Sequence, residues 1–115
     1  MIFNNAIVPA LNRPIIKQYE MLFNSKAIKI LITPYPGCYK NCCHENVIQL
    51  VREYGGKVVK GYYIVCEEDF SKSVAIYHSV WKYDDRLIDP TPFDDGIEYH
   101  TFIPTNNYFN EFLCI

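Results

Sequence analysis

Three residues of this chain, Cys43, His78 and Asp89, have the types and the order that nucleophilic catalysis needs. Cys43 opens the amphipathic stretch Cys43-His44-Glu45-Asn46-Val47. His78 lies in the strand-like run Val74-Ala75-Ile76-Tyr77-His78-Ser79-Val80-Trp81, and Asp89 ends the run Arg86-Leu87-Ile88-Asp89 before Pro90 and Thr91. A thiolate can attack a carbonyl carbon, an imidazole can move the proton, and a carboxylate can fix the imidazole tautomer and stabilise its cation. Singly, each residue has a plainer use: a buried cysteine, a core histidine, a turn-forming aspartate. Their joint occurrence, one at a helix start and two on neighbouring strands, points to a cysteine-dependent acyl-transfer enzyme.

The elements around these residues must position them. Cys43, Val47, Leu50, Val51 and Tyr54 recur at helical spacing and share one face. Asn41 is the expected N-cap, and Gly55-Gly56 the expected stop. Cys43 then sits in the first turn, on the inward face, where unpaired backbone N–H groups favour a thiolate and can hold an oxyanion. His44 projects off that inward face toward solvent. Side chains alternate along a strand, so Val74, Ile76, His78 and Val80 share one face, the one expected to lie under the helix. A two-residue turn at Asp84-Asp85 sets Val80 opposite Asp89 and His78 diagonal to it. A four-residue turn from Lys82 to Asp85 sets His78 opposite Asp89 directly. Either keeps both residues on one face.

An earlier helix begins near Pro14, with Ile15, Tyr19, Leu22 and Phe23 on one side. Ala27 to Thr33 reads as a short strand, and Thr33-Pro34-Tyr35-Pro36-Gly37 as a breaker-rich loop. Further strands are expected at 57–66, 73–82, 86–89 and 98–103. The tail, 105–115, carries Phe109, Phe112, Leu113 and Ile115 and should dock on the body. The expected fold is α+β, one domain over residues 1–115, with the Cys helix packed on an antiparallel sheet of about four strands.

The chain has 115 residues, half of them hydrophobic, enough for one domain with a real core. Eleven basic residues against 13 acidic ones leave no basic excess to attract nucleic acid. Glu67-Glu68, Asp84-Asp85 and Asp94-Asp95 read as solvated turns. Met1-Ile2-Phe3-Asn4-Asn5 lacks the basic start of a signal peptide, and no apolar run is long enough for a membrane span, so a cytoplasmic location is expected. Five cysteines, an odd number, favour thiol or metal chemistry over a disulfide framework. Nothing in the chain calls for an organic cofactor.

The runs His78-Ser79-Val80-Trp81 and Leu87-Ile88-Asp89-Pro90-Thr91 resemble the His and Asp strand motifs of transglutaminase-like proteins, within the broader papain-like cysteine enzymes. The stretch 43–47 resembles the nucleophile helix of small microbial and phage members. The resemblance covers Asn41 to Pro92, under half of the chain. It implies thiol attack on an amide or ester of a protein or peptide, with Cys43 as nucleophile, His78 as base and Asp89 as orienter. Papain-type enzymes place an oxyanion glutamine before the cysteine. No glutamine lies between Gln18 and Cys43, which leaves Asn41 or Tyr35 to fill that role.

Two other functions compete. Cys38, Cys42 and Cys43, with His44 and Cys66 or His78, could supply a four-coordinate zinc set. Alternatively the same scaffold serves as a non-catalytic interaction domain. A small virus- or phage-encoded protein fits the length and the Asn-, Ile-, Lys- and Tyr-rich composition. His100, alternating with Tyr99 and Thr101, is expected to be ordinary packing. Asn46, near the loop bearing Cys38, is expected to hydrogen-bond it.

Overall fold

The computed structural model describes residues 3–93 and 96–115. Met1-Ile2 and the Asp94-Asp95 pair lie outside the described residues. Among the described residues, two helices, α1 (Pro14–Phe23) and α2 (Cys43–Tyr54), accompany seven strands. These are β1 (Ala6–Ile7), β2 (Ile28–Leu31), β3 (Lys57–Glu67), β4 (Ser73–Tyr83), β5 (Arg86–Ile88), β6 (Tyr99–Pro104) and β7 (Phe112–Leu113). They form one antiparallel sheet of order β2-β6-β3-β4-β5, with β1 added to β3 and β7 to β4. The fold is α+β as expected, but the sheet has seven strands rather than about four. The additional pairings are short segments, two residues each in β1 and β7, recruited by long neighbours. Such segments carry too little periodicity to be seen in a sequence.

The β4–β5 hairpin decides the register at the site. Asp84 and Asp85 have φ of 53° and 60°, the left-handed pair of a two-residue hairpin turn. Tyr83 pairs with Arg86 and Trp81 with Ile88. Asp89 therefore follows opposite Val80, and His78 lies diagonal to it. The outer strands β2 and β5 are drawn together where Ile32 bridges Asp89 in parallel and the Thr33 N–H donates to the Asp89 carbonyl, 2.8 Å. The sheet is thereby curled, with a concave and a convex face.

The two faces hold different cores. On the convex face, α1 buries Ile16, Tyr19 and Phe23 against Tyr62, Ile64, Ala75 and Ile103. The buried stripe thus runs through Ile16 rather than Ile15, and Leu22 is exposed. Also on this face, α2 sets Val47 and Leu50 against Trp81, with Val58 and Ile88 alongside. The concave face is filled by Ile30, Val80 and Phe102, with Val59, Tyr63 and Leu87 around them. His78 belongs to this concave set by strand alternation, so it does not lie under α2. The helix covers the Tyr77, Ser79 and Trp81 side instead, where Trp81 offers its apolar stripe a large area to bury.

The tail docks on the body: β7 pairs with Ala75 and Ile76, Phe109 packs on Phe23, and the Tyr62 hydroxyl donates to the Asn110 carbonyl. Glu67, expected in a solvated turn, is buried and accepts the Asn4 and Asn5 N–H groups at 3.0 and 2.8 Å. No helix among the described residues is long and apolar enough to cross a membrane.

Gly61 on β3 faces the crossing of β6. A Cβ there would lie 2.2 Å from the Ile103 carbonyl oxygen and 2.7 Å from the Phe102 ring. The carbonyl is held by the β3–β6 pairing, and the Phe102 ring is buried. Gly61→Ala should lower the unfolding free energy by about 2 kcal/mol or more, read as a lower urea midpoint. An unchanged midpoint would show that β3 and β6 can separate freely.

Candidate active site

Beside β4 the sheet has a gap. On the side away from β3, β7 pairs with Ala75 and Ile76, and β5 with Trp81 to Tyr83. Tyr77 still donates its N–H to the Glu111 carbonyl at 2.9 Å, and Asp89 follows opposite Val80; between them, residues 78 and 79 have no neighbouring strand on this side among the described residues. The start of α2 fills this gap. His44 turns to the sheet, its Nδ1 hydrogen-bonded to the Ser79 hydroxyl and its ring against Tyr77 at 5.1 Å. It is half-buried, not solvent-facing, since a helix tip seated in a gap has no free side there. Burial pushes its imidazole below the ordinary range, partly offset by Glu111.

At the same gap Cys43 borders the cleft that His78 also lines, and its thiol raises the proton affinity of the His78 imidazole. His78 Nε2 bonds Asp89 Oδ2 at 2.8 Å, so Nδ1 is the nitrogen left for a second partner. His78 is 1% and Asp89 0% exposed. Cys43 and His78 border a cleft of about 180 Å³, with Asn41, His44, Tyr63, Ile76, Tyr77, Thr91, Phe93 and Glu111.

His100, expected to be ordinary packing, is part of this arrangement. Its Nδ1 bonds the same Asp89 Oδ2, also at 2.8 Å. Its ring stacks on Tyr63 at 4.2 Å and meets Phe93 edge-on. The available sequence signal was parity: His100 and Phe102 share a strand face, and β6 could have been placed beside the concave side. Nothing local in the chain indicates that β6 lies between β2 and β3.

Electrostatics follow from burial and pairing. Burial pushes the His78 imidazole down, but hydrogen bonds to Asp89 and Cys43 outweigh it and carry it up to about 9. Burial also opposes the Asp89 carboxylate, yet bonds from His100 and His78 hold it below the usual carboxylate range. His100 goes the other way: burial dominates its Asp89 bond and holds it below the ordinary imidazole range. Burial, then the charges of Cys43 and Asp89, push the Tyr63 phenol up to about 12.

Asn46 ties the pieces together. Its Oδ1 accepts the Tyr39 N–H, and its Nδ2 donates to the Tyr39 carbonyl and the Thr91 hydroxyl, at 2.8–3.0 Å. One buried amide thus joins α2, the Cys38 loop and the segment after Asp89. Asn41 borders the cleft but does not cap α2. Cys42 occupies the cap position without a side-chain bond, and Asn41 has φ of 61°. Tyr35 is not brought to this cleft. It packs against Tyr54 and Trp81 and lines a separate cavity of about 410 Å³ with Cys38 and Cys42.

Cys38 and Cys42 therefore border one cavity and Cys43 the other. Among the described residues, the metal-capable group is His78, Asp89 and His100, whose ligand atoms lie within 4.8 Å of one another. The 2.8 Å contacts are the lengths of N–H···O⁻ hydrogen bonds. Comparison with protein-family models, curated proteins and solved structures gives no match.

The folded-state value of His78 lies above its ordinary 6.5, so its stabilising contribution is complete below pH 6.5 and is lost as pH rises through about 9. The gap in unfolding free energy between the native chain and His78→Gln should shrink across that interval in urea titrations. A constant gap would mean that His78 gains no proton affinity from Asp89 and Cys43.

Proposed function

We propose that this chain is a cysteine-dependent acyl-transfer enzyme acting on an amide or ester bond of a protein or peptide. One observation carries the reading: Cys43 shares a cleft with an imidazole whose Nε2 is held by a buried carboxylate. The start of α2 places unpaired backbone N–H groups beside the sulfur. Cys43 Sγ attacks the carbonyl carbon, and His78 protonates the departing amine or alkoxide. Water or an amine then attacks the thioester, passing its proton to His78 as the thiolate leaves. The α2 N–H groups are the oxyanion donors, with Asn41 at the cleft edge as a side-chain supplement.

An antiparallel sheet with the thiol helix laid across it supports the transglutaminase-like form of this reading, within the papain-like enzymes. Peptidase, isopeptidase, deamidase and transglutaminase share the acyl-enzyme step and differ in the acceptor.

Chloroacetamide labelling, followed by peptide mass spectrometry at neutral pH, tests the proposal. Cys43 should be alkylated well ahead of the exposed Cys114. Cys43→Ala should lose that adduct, and His78→Ala should slow it by about a hundredfold. Equal rates at Cys43 and Cys114 would overturn the reading. One tightly bound zinc per chain that blocks alkylation would favour a metal centre at His78, Asp89 and His100 instead.

A further inference from the structure

We propose that His100 is a positioning residue that keeps Asp89 ionised and oriented while His78 gains and loses its proton. This rests on the acyl-transfer reading of Cys43, His78 and Asp89. The geometry starts from one oxygen. Asp89 Oδ2 receives both imidazoles at 2.8 Å, while among the described residues Oδ1 has the Thr91 N–H at 3.4 Å. Asp89 is fully buried. During turnover His78 alternates between imidazolium and neutral imidazole. Each time it becomes neutral, the carboxylate loses its counter-charge inside the protein. A second donor whose own state does not change would hold the anion through that step.

His100 has the features of such a donor. It is 1% exposed, and its Nε2 has no hydrogen-bond partner among the described residues. With the proton on Nδ1, the Asp89 bond forms and Nε2 presents a bare lone pair among rings. With the proton on Nε2, a lone pair would face the carboxylate at 2.8 Å and a buried N–H would stay unsatisfied, so two penalties would arise together. Among the described residues, the titratable groups around His100 are Asp89, His78 and Tyr63, and the Tyr63 phenol stays neutral. His100 is therefore a neutral Nδ1–H donor, and it does not exchange roles with His78.

Two measurements test this. Nitrogen-15 NMR of the imidazoles at neutral pH should show His100 as the neutral Nδ1–H tautomer. An Nε2–H tautomer or an imidazolium at His100 would overturn the proposal, and this result needs no variant. In the second, His100→Asn keeps an N–H near the Nδ1 position, whereas His100→Leu removes it. Cys43 alkylation should stay within about threefold of native in the Asn variant and fall at least about tenfold in a folded Leu variant. The pH dependence of alkylation should be native in the former and displaced in the latter. A folded Leu variant with native rate and profile would overturn the proposal, as would an Asn variant equal to Leu. A native chain whose Cys43 reacts no faster than Cys114, with His100 still in the Nδ1–H form, would overturn the acyl-transfer reading while leaving the tautomer assignment intact.

Discussion

A fully buried carboxylate organises this molecule. Asp89 cannot be hydrated, and an ion left unpaired in such a place is too costly to persist. Its side chain draws one histidine from β4 and another from β6. Its backbone receives Thr33 and bridges Ile32, which brings the two outer strands of the sheet together. The curl of the sheet and the enclosure of the ion are thus one event. Without the curl, β6 and β4 would present their histidines to different surroundings, and Asp89 would face water.

The thiol arrives from the opposite face. Helix α2 lies on the convex side, held by Val47 and Leu50 against Trp81. Its first residue meets His78 because β4 lacks a neighbouring strand there among the described residues. Gap, helix tip and imidazole must stay aligned for the thiol and the ring to share one cleft. Asn46 maintains this with three bonds from one buried side chain. A buried amide so connected is costly to disturb, since each lost bond leaves a polar group without water. Rigidity at the helix start is what a preorganised nucleophile and its oxyanion donors need.

Much of this was readable from local chemistry. The periodicity of Val47, Leu50 and their neighbours marks α2, and Gly55-Gly56 marks its end. Asp84-Asp85 marks a hairpin turn of even length, two or four residues, of which the structure takes the two-residue form. That turn sets the parity that keeps His78 and Asp89 on one side. The placement of His100 was not readable, because β6 joins the site through a non-sequential strand order. Tyr35 was a reasonable neighbour by sequence distance from Cys43, yet the loop carries it to the far side of α2. His44 looked peripheral because the helix pattern says which face is apolar, not what lies beyond the helix end.

By itself, then, the amino-acid order determined the elements: two helices, the long strands, the hairpin turn and the parity of side chains along each. These depend on steric and hydrophobic preferences acting within a few residues. Only the tertiary structure decided which sheet face each helix covers, how far the sheet curls and that two histidines share one carboxylate oxygen. Those outcomes depend on contacts between residues distant in the chain, where burial of the whole surface, not local preference, selects the arrangement.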